Sequence, residues 1–169
     1  IYLRESELTS AGDAIKEFVS DVLRVSANLP ALQKARRLSD AVSQAMSYEK
    51  GATDVSTTAE EALAGGRGVC QDYAHVLVAA CRRAGVPARY VNGFLVGEGE
   101  THAWTEVHDG TCWRGLDPTN RREVDFGYVT LSHGRDFADC PIERGVFVGG
   151  ASQEMSVNVR VVDDASRTW

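Results

Sequence analysis

Three residues of this chain carry side chains that together can break an amide bond: Cys70, His102 and Asp117. A thiolate is a strong nucleophile, an imidazole can take and return its proton, and a carboxylate can hold the imidazole in one tautomer. Cys70 follows the loose string Gly65-Gly66-Arg67-Gly68-Val69 and opens a segment in which Tyr73, Ala74, Leu77, Val78 and Cys81 recur at helical spacing. A cysteine at a helix start meets backbone N–H groups without intrahelical acceptors, and the helix dipole there favours negative charge. The same N–H groups can hold the oxyanion of a tetrahedral intermediate. Taken alone, each residue also has an ordinary reading. Cys70 could be a small buried hydrophobe, His102 a structural histidine and Asp117, before Pro118, a turn residue.

The elements around them change that balance. His102 to Val107 alternates as a strand, with His102, Trp104 and Glu106 on one face and Ala103, Thr105 and Val107 on the other. Asp109-Gly110 is a hairpin turn, and Cys112 to Leu116 is the return strand, ended by Asp117-Pro118. The two arms are about equal in length, so the hairpin returns Asp117 to the neighbourhood of His102. A central helix starting over that end would deliver Cys70.

Upstream, Ile15, Phe18, Val19, Val22, Leu23 and Val25 form the apolar stripe of a first helix. Leu32, Ala35, Leu38, Val42, Ala45 and Met46 form that of a second, starting at Pro30 and running towards Gly51. Thr58 with Glu61 is a capping box for a short helix through Leu63, and Gly68 keeps the following turn loose. Gly85-Val86-Pro87 closes the Cys70 helix, and Ala88 to Val96 is rich in β-formers. Ser132 to Ala138 reads as a short helix, and Met155, Val157, Val159 and Val161 alternate as a last strand. Helices first and an antiparallel sheet afterwards make an α+β fold in a single domain over residues 1–169.

Bulk composition excludes several classes. The 169 residues are 43% hydrophobic and 25% charged, as in a globular domain that can bury one core. A net charge of -6 does not imply a nucleic-acid surface, and no apolar run reaches membrane-spanning length. No signal peptide is visible, which leads to an expected cytoplasmic location. The four cysteines, Cys70, Cys81, Cys112 and Cys140, lack both disulfide-framework and zinc-ligand spacing, so free thiols are expected. No metal or other cofactor is expected, and no EF-hand-like loop is present.

The strings Gly68-Val69-Cys70-Gln71-Asp72-Tyr73-Ala74, Thr101-His102-Ala103-Trp104 and Gly115-Leu116-Asp117-Pro118-Thr119-Asn120, in that order, resemble the bacterial transglutaminase-like superfamily. The resemblance is strong from Ala59 to Arg122 and weak in the tail. It implies helices packed on an antiparallel sheet, and a papain-type Cys-His-Asp triad acting through a thioester. It further implies a peptide or amide substrate, with hydrolysis favoured over transfer to an amine. A non-catalytic interaction module that keeps the fold is the alternative. Bacterial relatives often carry a β-rich segment ahead of the core, which this chain is expected to lack. Gln71, Asp72, Trp104 and Asn120 are the candidate pocket residues. Asp72 suits a helix-capping role and Trp104 the wall of a groove. The side chain that completes the oxyanion site in papain-like enzymes has no identifiable counterpart.

Overall fold

The computed structural model describes residues 1–25, 28–97 and 100–141. After a 3-10 turn at Glu7–Thr9, helix α1 (Asp13–Leu23) buries Ile15, Val19 and Leu23. Gly12 has no side chain to cap it, so the cap comes from elsewhere in the chain. The Glu60 carboxylate accepts the N–H of Ala14 at 2.6 Å and that of Ile15 at 3.1 Å. Helix α2 (Ala31–Ala45) begins behind Pro30 and buries Ala35, Leu38 and Val42.

Helix α2 stops at Ala45, well short of the expected Gly51. The chain leaves it to form β1 (Ser47–Tyr48). Helix α3 (Ala59–Gly65) follows, with the Thr58–Glu61 capping box in place and Gly66 in the left-handed conformation at φ 64°. The expected loose turn at Gly68 is instead strand β2 (Arg67–Gly68), parallel to β1. Ser47 N–H bonds to Gly66 C=O and Glu49 N–H to Gly68 C=O. These long-range bonds satisfy the backbone where local periodicity would have continued the helix.

Helix α4 (Cys70–Arg83) is the centre of the molecule, buried almost throughout from Asp72 to Arg82. Helices α1, α2 and α3 pack around it, and the sheet lies along it. Its strands are β3 (Ala88–Leu95), β4 (Thr101–His108), β5 (Trp113–Asp117), β6 (Arg122–Glu123) and β7 (Tyr128–Gly134). They pair antiparallel in the spatial order β6-β5-β4-β3-β7. This is the helices-on-antiparallel-sheet, α+β architecture.

One face of the sheet, with Ala88, Tyr90, Ala103, Val107 and Leu116, joins the core. There the Thr105 hydroxyl donates to the Ala74 carbonyl of α4 at 3.1 Å, which docks helix on sheet. Buried Arg82, at the other end of α4, donates to Ala88 O, Arg135 O and Thr9 Oγ1, tying three separate segments together.

The segment from Ser132 to Ala138 is not the expected helix. Residues 128–134 form β7, and only Phe137–Asp139 makes a 3-10 turn, capped by the Asp136 side chain. The partners of β7 lie on β3, far away in sequence, so a short window could not register them. The ladder shifts register between Asn92 and Gly93. A Cβ on Gly93 would stand 2.1 Å from Val129 O and 2.7 Å from the Trp104 ring, so only glycine fits there. The alternating Met155, Val157, Val159 and Val161 lie outside the described residues.

Candidate active site

Cys70 is the first residue of α4, where the N–H groups of Cys70 and Gln71 have no acceptor within the helix. The turn is held from below by Asp72. Its buried Oδ2 accepts the Val69 N–H at 2.7 Å and the Thr53 hydroxyl at 2.6 Å. Gly68 lies against this carboxyl, with room for no side chain: an added Cβ would meet Asp72 Oδ2 at 2.4 Å. Asp72 therefore shapes the entry to α4. Gln71 turns its amide to the Val55 carbonyl at 3.4 Å, against the loop that precedes α3.

His102 is the second residue of β4 and is 4% exposed. Its Nε2–H donates to Asp117 Oδ2 at 2.7 Å, and the ring also hydrogen-bonds Cys70. With Nε2 occupied by the carboxylate, Nδ1 is the nitrogen left for the thiol. Burial pulls the His102 ring down. The hydrogen bonds and negative charges of Asp117 and Cys70 outweigh it, and the ring is pushed up to about 10. The ring thus holds its proton well above the usual imidazole range.

Asp117 is fully buried and the end of β5. Its Oδ1 accepts the N–H groups of Thr119 and Asn120 at 3.0 and 3.1 Å. Its Oδ2 accepts from His102, from Asn120 Nδ2 at 2.9 Å and from the Tyr128 hydroxyl at 2.7 Å. Burial would raise its pKa, but these bonds and the His102 charge hold it below the usual carboxylate range. Asn120 is thus a partner of the carboxylate.

Trp104 is wholly buried, with its ring stacked beside His102 at 6.3 Å and edge-on to Tyr128 at 5.3 Å. It backs the imidazole and offers no open surface. Tyr128 was not legible as a site residue because its segment has no motif and its strand is recognisable only through pairing with β3. Arg122 donates from Nε to the Tyr128 hydroxyl at 2.7 Å and lies over its ring at 4.9 Å.

The remaining thiols and histidines are placed apart. All four cysteines are free. Burial pushes Cys81 up to about 12 and Cys140 up to about 11. His75 is buried in α4, where it accepts the Phe137 N–H at 3.1 Å, and burial pulls it down to about 4. Among the described residues no cluster of His, Cys, Asp or Glu could hold a metal ion, and no helix is long and apolar enough to cross a membrane.

Residues 18–118 match the transglutaminase-like superfamily as a sequence family. The chain belongs to that superfamily. An uncharacterised protein of Mycobacterium tuberculosis is 34% identical over 167 residues, which cover 89% of this chain and 52% of that one. A second, from Mycobacterium leprae, is 36% identical over 126 residues, covering 69% of this chain and 45% of its own. The chain thus spans about half the length of the curated relatives it matches. Among solved structures, a protein of Cytophaga hutchinsonii described as a candidate cysteine protease superposes with a TM-score of 0.72 at 29% identity. That match covers 83% of this chain and 48% of the other. LapG of Legionella pneumophila superposes with a TM-score of 0.59 at 17% identity, over 73% of this chain and 77% of its own, a likeness of fold. The mixed helix and antiparallel-sheet fold is thus similar to that of transglutaminase-like and papain-like cysteine protease structures.

Proposed function

We propose that this chain is the catalytic domain of a cysteine-dependent peptidase or amidase, with Cys70 as nucleophile, His102 as acid and base, and Asp117 as the residue that orients His102. The observation that carries the reading is the unbroken hydrogen-bonded series Cys70–His102–Asp117 at the start of a buried helix. The Cys70 sulfur attacks the amide carbon, forming an S–C bond, and the carbonyl electrons move to oxygen. The N–H groups at the start of α4 are the donors available to that oxyanion. Collapse of the intermediate breaks the C–N bond, and the Nδ1 proton of His102 goes to the leaving amine. Water then attacks the thioester, His102 takes a proton from it, and the C–S bond breaks to release a carboxylic acid. An amine in place of water would make the same intermediate a transfer reaction.

The test is a mass-spectrometric search for acyl adducts on Cys70 against a library of peptides and simple amides, with and without added primary amines. Adducts on Cys70 that decay to free acid establish hydrolysis. Decay only when an amine is added would assign transfer. No adduct from any member of the library, with Cys70 labelling no faster than the other thiols, would favour an interaction module.

A further inference from the structure

Asp117 is held by a side chain from outside the triad. Arg122 carries only donors, so its Nε–H must donate to the Tyr128 oxygen, and the single phenolic proton is then directed to Asp117 Oδ2. That oxygen is the one that also accepts from His102 Nε2. The Tyr128 ring is fixed in place, between the guanidinium above it and the buried edge of Trp104.

We propose that Tyr128, backed by Arg122, is a positioning residue that limits the basicity of Asp117, and through it that of His102. The inference rests on the triad reading given above. A carboxylate oxygen shared among several donors gives less electron density to each. Without the phenol, the same charge would bind the imidazolium more tightly. The imidazolium would then be a poorer acid when the leaving amine needs its Nδ1 proton. The charged and titratable groups facing this cluster are Cys70 from α4, His102 from β4, Asp117 from β5, Arg122 from β6 and Tyr128 from β7. Asp125, in the β6–β7 turn, acts on Arg122, and Lys50, ion-paired with Glu100, lies within electrostatic reach of Cys70.

The test needs no substrate. Iodoacetate alkylation of Cys70 is followed across pH by mass spectrometry, in parallel with nitrogen NMR titration of the His102 ring. The anionic reagent is drawn by the imidazolium, so its rate falls when the ring loses its proton. In Tyr128→Phe the alkaline limb and the ring titration should both move up by about half a pH unit or more. Arg122→Leu, a change at the surface, should move them less and in the same direction. It carries the test if the phenylalanine variant does not fold. Unmoved limbs in a folded variant, with only its thermal stability lowered, would overturn the proposal and leave the triad reading intact. A wild-type Cys70 indifferent to His102→Ala would overturn both.

Discussion

Asp117 lies diagonally across the β4–β5 ladder from His102, and the two side chains meet at 2.7 Å. The register pairs Thr105 with Leu116, which puts position 117 beside position 104 and one diagonal step from position 102. The carboxylate accepts five hydrogen bonds in all. Replacing Asp117 with alanine should therefore cost both function and fold. It orphans buried donors, for a loss of about 3 kcal/mol or more in urea unfolding. Asp117→Asn keeps the shape and should fold better, yet lower Cys70 reactivity by about 1000-fold at neutral pH. Equal reactivity in the asparagine variant would remove the carboxylate from the mechanism.

Thiol reactivity should single out one cysteine. Cys81 and Cys140 are buried and hold their protons, whereas Cys70 is half-buried beside an imidazole. Iodoacetamide near pH 6 should label Cys70 about 100-fold faster than either buried thiol. His102→Ala should abolish that advantage. Site-resolved mass spectrometry reads both results.

Stability should depend on pH with a definite sign. His102 is raised from 6.5 to about 10 in the folded chain, so its contribution is complete below pH 6.5 and is lost as pH rises through about 10. Asp117 is lowered from 3.8, so its contribution is present above that value and is lost as pH falls through the depressed one. The urea midpoint should form a plateau between pH 3.8 and 6.5, where both contributions are complete, and should decline on either side. In His102→Ala the alkaline decline should shrink, and an unchanged decline would show that other groups cause it.

Gly93 should tolerate no side chain. In Gly93→Ala the new methyl meets the Val129 carbonyl, held in the β3–β7 ladder, and the buried Trp104 ring. The expected loss is about 2–3 kcal/mol by chemical denaturation. Because Trp104 backs His102, the variant should also lose Cys70 reactivity.

The cap on α1 is open to a simple test. Glu60→Gln keeps one acceptor oxygen and should cost less than Glu60→Ala, which should lose about 1 kcal/mol. Similar stabilities for the two variants and the parent would mean that solvent replaces the carboxylate there.

Several elements were legible because their determinants are local. The stripes of α1 and α2, the Thr58–Glu61 box, the apolar run after Cys70 and the alternation through β4 depend on neighbours within a few residues. The equal arms around Asp109-Gly110 were enough to bring His102 and Asp117 to one end of a hairpin. The parallel β1–β2 pair, the early end of α2 and strand β7 depend on backbone partners distant in sequence. Tyr128, Arg122 and the Glu60 cap belong to the same class.

The amino-acid order by itself determined the helix and strand periodicities, the α+β character and the order of the three motif strings. Tertiary structure alone decided that the imidazole reaches a helix start, that a phenol and a guanidinium stand behind the carboxylate, and that Trp104 is sealed from solvent. The reason is physical. Periodicity and capping act over one or two turns of chain, whereas the ionisation of a buried pair is set by whatever groups the packing of α4 and the sheet brings within hydrogen-bonding distance.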